Sequence, residues 1–367
     1  MPLPRLRPVL NLTMFLLCLL TSITFASSPF ATSVVSYNPQ PGQFTSNPAF
    51  NDPARALGPP LGGTPAQPDN TKLVTLGREG GNITLAFGRP VRNRAASPGN
   101  PRALDLILFG NAFYVGGNPA RRWAEPGIIE VSADVNNNTL ADDPFYVIAG
   151  PYLLSAPAPT LLEALLPASI FAPGGLTILD NPLGPDTTTE GVYAYADCTP
   201  TLLLGDLDAD GESDNPALDP ARFYTSPDDP LAVGLTPFSG GGDAIDLSWA
   251  VDPITRQTVQ LAQIDFVRVR SGLSSAQVSF GEASTELGGV AIVQPRSPAD
   301  IAGPGQSLGP DGERTADDII VFLSWFIAQR PLADIAGPGQ SLGPDGEFTA
   351  DDLIVFMGWF LLPAEEP

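Results

Sequence analysis

The chain has 367 residues, a net charge of −22 and no histidine, and it carries 41 prolines and 37 glycines. Without imidazole, Ser-His-Asp and Cys-His nucleophilic centres, H-E-x-x-H zinc sites and every histidine-ligated metal centre are excluded. So acidic a surface repels nucleic acid and anionic lipid and attracts divalent cations; the catalysis left open is mainly carboxylate chemistry, such as glycoside hydrolysis by paired acids.

Arg5 and Arg7 precede a short apolar run, Phe15, Leu16, Leu17, Cys18, Leu19 and Leu20, which gives way to Ala26, Ser27 and Ser28. A basic start, an apolar centre and a small-residue end predict a secretory signal peptide over residues 1–26, too short to span a bilayer comfortably. Cys18 lies inside the apolar run without small residues before it, so a lipid anchor there is the weaker reading. The expected location is outside the cell, secreted or held at the surface, with no transmembrane segment after cleavage. Cys198 is then the sole cysteine, and stability must come from a core, from metal or from both.

Over residues 27–294, short β-branched and aromatic runs alternate with Pro, Gly, Asn and Asp clusters. Strands are expected at 72–76, 82–87, 104–109, 127–131, 145–148, 263–269 and 287–293, with a short helix at 160–166, which predicts a mainly β chain with one large β-sandwich of jelly-roll type. Two acidic segments in this region share a spacing. Asp134, Asn136, Asn138, Asp142 and Asp143 lead into Pro144, and Asp206, Asp208, Asp210, Asp214 and Asn215 lead into Pro216. Oxygen ligands at alternate positions let one short loop wrap a hard cation such as Ca2+. The second loop, D-x-D-x-D-G, is the more specific. The first has asparagines and no glycine at the turn and should bind more weakly, and solvated Asp- and Asn-rich turns are the plain alternative for both.

Trp123 near Glu125, and Trp249 between Asp246 and Asp252, are candidates for a polysaccharide-binding platform, although tryptophan in a β domain is more often core. Glu282 and Glu286 with Asp265 or Asp105 are candidates for an acid–base pair, against the plainer reading of solvated strand ends.

A linker at 295–298 precedes a repeat. Residues 299–313 and 333–347 are the same fifteen letters, ADIAGPGQSLGPDGE, offset by 34, and the match continues through Thr315 to Asp318 and Thr349 to Asp352. Thr315 and Thr349 are natural N-caps, each with an aspartate three residues on, and helices are expected at 316–329 and 350–361. Both helices are apolar on nearly all sides and need covering on more than one face. Asp311-Gly312 and Asp318, like Asp345-Gly346 and Asp352, fall at positions five, six and twelve of a calcium loop, with Asp300 and Asp334 as the first acids.

Two tandem loop-plus-helix units of this kind resemble a dockerin, specifically the tail of GC-type dockerin-anchored secreted proteins; the resemblance covers residues 299–362. It implies a small helical domain, residues 299–363, in which EF-hand-like loops hold two calcium ions and the helical face binds a cohesin-like or other surface receptor. The chain is then a surface protein that displays its β domain for binding. A dockerin-tethered enzyme that degrades polysaccharide with paired carboxylates is the alternative, and a carbohydrate-binding module without turnover is a third reading. Two features depart from the family pattern. Ten residues, where a compact loop has three, separate Asp300 from Asp311 and Asp334 from Asp345, and Arg314 stands where the loop has an apolar residue reaching across to its sister.

Overall fold

The computed structural model describes residues 27–362, apart from 43, 119–120, 150–177, 181–194, 229–232, 234–235, 237, 256, 274–276, 279–280, 283 and 343–344. The expected signal peptide and the helix at 160–166 lie outside the described residues. What is described is mostly β, arranged in several antiparallel sheets. Among the described residues, no helix is long and apolar enough to cross a membrane.

In the largest sheet the strands run in the order Ser33–Asn38, Asn82–Arg92, Gln263–Ser271, Gly127–Ser132, Tyr146–Ile148 and Ala250–Val251, and Tyr195–Ala196 also pairs with Gly127–Ser132. Gln263–Ser271 shows why this pattern folds as strand. Ile264, Phe266, Val267 and Val269 are buried, while Arg268 and Arg270 meet Glu130 of the neighbouring strand at 2.5 and 2.9 Å. The ladder between Gln263–Ser271 and Asn82–Arg92 slips between Ile264 and Phe266, across from the stretch that holds Pro90. Proline has no N–H to give a ladder and sits at irregularities of this kind.

A second sheet has Leu106–Phe109 at its centre, between Asp243–Ile245 and Gly289–Ile292. All four residues of Leu106–Phe109 are buried, so this run has no polar face. Phe109 packs edge-on to Tyr224 at 5.5 Å, just past the short helix Pro220–Phe223. One contiguous core takes in both sheets and reaches Val321, Phe322, Trp325 and Phe356 near the C-terminus.

Each copy of the repeat opens with a two-stranded hairpin, Ala302–Gly303 with Ser307–Leu308 and Ala336–Gly337 with Ser341–Leu342. Gly305 and Gln306, and likewise Gly339 and Gln340, have positive φ of 62 to 72°. That is the backbone of the tight hairpin turns that match strand twist, for which glycine is well suited. The ten-residue spacing noted in the sequence is thus a folded hairpin. The helices Ala316–Ile327 and Ala350–Leu361 follow, each with a complete capping box from Thr315 and Asp318 or from Thr349 and Asp352.

The two helices meet through equivalent residues, Phe322 stacking on Phe356 with ring centres 3.9 Å apart. Trp325 faces Phe238 of the β region at 5.9 Å. Arg314 donates from one guanidinium nitrogen to the carbonyls of Trp359 (2.9 Å), Phe360 (2.8 Å) and Leu362 at the end of the second helix. A cation there satisfies orphan carbonyls and complements the helix dipole, which explains the departure from an apolar residue. Phe348, its counterpart, instead packs against Phe326 of the first helix. The connector at 295–298 is pinned: Arg296 donates to Ser226 Oγ and to the Asp300 carbonyl, and Ser297 Oγ donates to the Trp359 carbonyl.

Candidate metal-binding loops

The four acidic loops share one hydrogen-bond scheme. In each, the first aspartate accepts two backbone N–H groups at the turn: Asp134 from Asn138 and Thr139 (3.0 and 2.7 Å), and Asp206 from Asp210 and Gly211 (3.1 and 3.0 Å). Asp300 accepts from Asp311 and Gly312 (both 2.9 Å), and Asp334 from Asp345 and Gly346 (2.9 and 2.7 Å). With the hairpins looped out, the repeat reproduces the compact scheme. The middle ligand position then accepts from the residue two further on, as Asn138 does from Leu140, Asp210 from Glu212, Asp311 from Glu313 and Asp345 from Glu347. A closing acid accepts the N–H that follows the first aspartate: Asp143 from Val135, Asp214 from Leu207, Asp318 from Ile301 and Asp352 from Ile335.

This scheme curls the backbone round the side-chain oxygens. The residue after the middle position has a left-handed φ in all four, 63° at Thr139, 94° at Gly211, 95° at Gly312 and 86° at Gly346. Only glycine adopts that region without steric cost, so Thr139 strains the first loop.

The loops differ in how many charges they bring together. Asp206, Asp208 and Asp210 each place a carboxylate oxygen within 4.8 Å of the other two, close enough to hold a metal ion. Burial first, then the charges of Asp210 and Asp208, push the Asp206 carboxyl up to about 6. Asp208 is also shifted upward, by burial and then by Asp210 and Asp214. A cation among them would relieve the repulsion. In the first loop Asn136 and Asn138 turn their amide groups to Asp142, at 3.0 to 3.4 Å, and so partner the carboxylate without an ion. In the repeat, Asp318 and Asp352 are buried and hold the N–H groups of Thr315 and Thr349 as well as the loop amides. These two act as helix caps whatever else they bind.

Of the residues weighed as an acid–base set, the Glu282 side chain lies outside what is described, and Asp105, Asp265 and Glu286 are engaged separately. Asp105 accepts from Arg94 and Leu247, and Asp265, at the ladder slip, holds the Asp134 N–H that opens the first loop. Glu286 instead meets Glu125 and Asp197, a second close group of carboxylates that is wholly buried. Its members stand 72 and 89 residues apart in the chain, so local spacing carries no trace of it. Trp249 is in the core and Trp123 stacks on Phe113 at 6.3 Å. Neither protein-family models nor curated proteins give any match to this chain.

Burial, as the largest influence, raises the Asp105 and Asp243 carboxyls from 3.8 to about 7. A carboxyl whose folded value lies above its unfolded one stabilises the fold below the unfolded value and loses that contribution as pH rises through the folded one. The metal-free chain is therefore expected to melt at progressively lower temperature as pH rises from about 4 to about 7. Circular dichroism melts of protein unfolded and refolded in chelator test this; a flat or rising profile across that window contradicts it.

Proposed function

We propose that this is an exported protein, secreted or held at the cell surface. In this reading, residues 27–294 form a β-sandwich displayed for binding, and residues 299–363 form a dockerin-like tail, stabilised by calcium, that docks to a cohesin-like or other surface receptor. All-oxygen loops with a glycine turn suit a hard, flexible-geometry cation, for which Ca2+ is the fit.

One observation carries the docking part. Ile320, Leu323 and Ile327 on the first helix are 45, 40 and 80 % exposed, and their repeat equivalents Ile354, Met357 and Leu361 are 49, 37 and 75 % exposed. The inner faces are used up by Phe322, Trp325 and Phe356, so each helix keeps the same bare apolar stripe at i, i+3 and i+7. Large side chains left in water in a repeated pattern mark a surface meant to be covered. The test is retention of the full-length protein on immobilised envelope proteins of the cells that make it. Retention in calcium, lost on chelation and in the double variant Ile320→Asp/Ile354→Asp, is the expected result. Equal retention of the folded double variant would sink the docking reading.

A further inference from the structure

Three carboxylates from distant parts of the chain meet inside the β region. Glu125 follows the strand Arg121–Trp123, Asp197 follows Tyr195–Ala196, and Glu286 opens Glu286–Leu287. They are 4, 1 and 2 % exposed, and one oxygen of each lies within 4.8 Å of the other two. The backbone is shaped around them. Asp197 holds a left-handed φ of 60°, costly for a residue with a side chain. Gly110 passes so close that a Cβ there would stand 2.2 Å from Asp197 Oδ1.

Most of the oxygens are held by donors. Asn111 and Ala112 donate backbone N–H to Asp197 Oδ1, and Glu286 donates its own to Oδ2. Ser284 N–H and the Trp123 side chain donate to Glu125, and the Thr75 hydroxyl donates to Glu286 Oε1. Glu286 Oε2 is different: it is buried and accepts no hydrogen bond, and the Glu286 and Glu125 side chains stand within hydrogen-bonding reach of each other, an approach that only a proton or a cation between them makes favourable. Burial raises all three carboxyls, and the charge of Glu125 pushes Asp197 and Glu286 further. Carboxylates enclosed together need a positive partner.

We infer that Glu125, Asp197 and Glu286 enclose a hard divalent cation, of the calcium or magnesium class, with Glu286 Oε2 as the oxygen reserved for it. The oxygen-only ligand set favours these ions over softer metals. The site lies apart from the surface loops and does not depend on them. Its ion, sealed from solvent, exchanges far more slowly than an ion in the Asp206 loop, where Asp208 and Asp210 are open to water.

Full-length protein refolded with calcium or magnesium and then dialysed in its native state against EDTA separates the two kinds of site. Elemental analysis by mass spectrometry is expected to find about one equivalent of divalent metal per chain after dialysis, released only when the chain is unfolded in chelator. Glu286→Gln removes that equivalent, and Asp208→Asn, in the exposed loop, keeps it. Where Glu286→Gln fails to fold, terbium in the refolded parent chain serves instead: its emission is expected to be sensitised by Trp123 and lost in Trp123→Phe. A folded parent chain that retains no metal, or a retained equivalent that survives Glu286→Gln, overturns the inference and leaves a shared proton as what joins Glu125 to Glu286.

Discussion

Phe356→Ala is expected to lower the unfolding free energy by about 3–5 kcal/mol, the usual cost of deleting a buried aromatic ring. Phe356 is 2 % exposed and lies face to face with Phe322, with Phe360 at 6.5 Å on its own helix. The gap left by alanine opens where the two helices of the repeat stack ring on ring. Phe322 and Phe360, the rings that line the gap, are each held on their own helix. Urea unfolding followed by tryptophan fluorescence measures the effect. Met357→Ala, one residue along but on the exposed stripe, serves as the control at about 0.5 kcal/mol or less. Similar values for the two variants would mean that the helices do not pack through this pair.

Calcium added to chelated protein is expected to raise the melting temperature strongly. A ligand that binds only the folded chain stabilises it by about 4 kcal/mol per site at a thousandfold excess over its dissociation constant. Asp208→Asn gives the effect a signature. In chelator the substitution removes a charge repelled by Asp210 and Asp214, so the variant melts at or slightly above the parent temperature. In calcium it has lost a ligand and melts below. Crossing curves of this form require the ion to sit among the three aspartates; parallel curves, or no response to calcium in the parent, rule it out. Running the same pair with Asp311→Asn asks whether the repeat behaves alike, where Asp318 is already engaged by three backbone amides.

Much of this architecture is legible in the residue order because it rests on local rules. Alternating burial marks Gln263–Ser271, an unbroken apolar run marks Leu106–Phe109, and Thr315 and Thr349 with an acid three residues on mark the helix starts. The acidic loops are equally plain, since their ligands and turn residues sit within a few positions of one another. What escapes is whatever depends on long-range closure. The Pro-Gly-Gln-Ser stretch reads as an interruption of the calcium loop until its ends are seen to pair as a hairpin. Arg314 reads as a misfit until the second helix brings its last carbonyls alongside. Glu125, Asp197 and Glu286 carry no spacing signal at all, because three different pairings of strands assemble them.

The reach of Arg314 has a consequence for the durability of the tail. Its guanidinium is fastened to Trp359, Phe360 and Leu362, and Ser297, ahead of the first copy, is tied to Trp359 as well. The end of the second helix therefore works as a clasp that ties the second copy of the repeat to the first and to the connector ahead of it. Cutting back the Arg314 side chain would release the first copy's polar hold on the second helix and leave Ser297 as the remaining polar tie to Trp359.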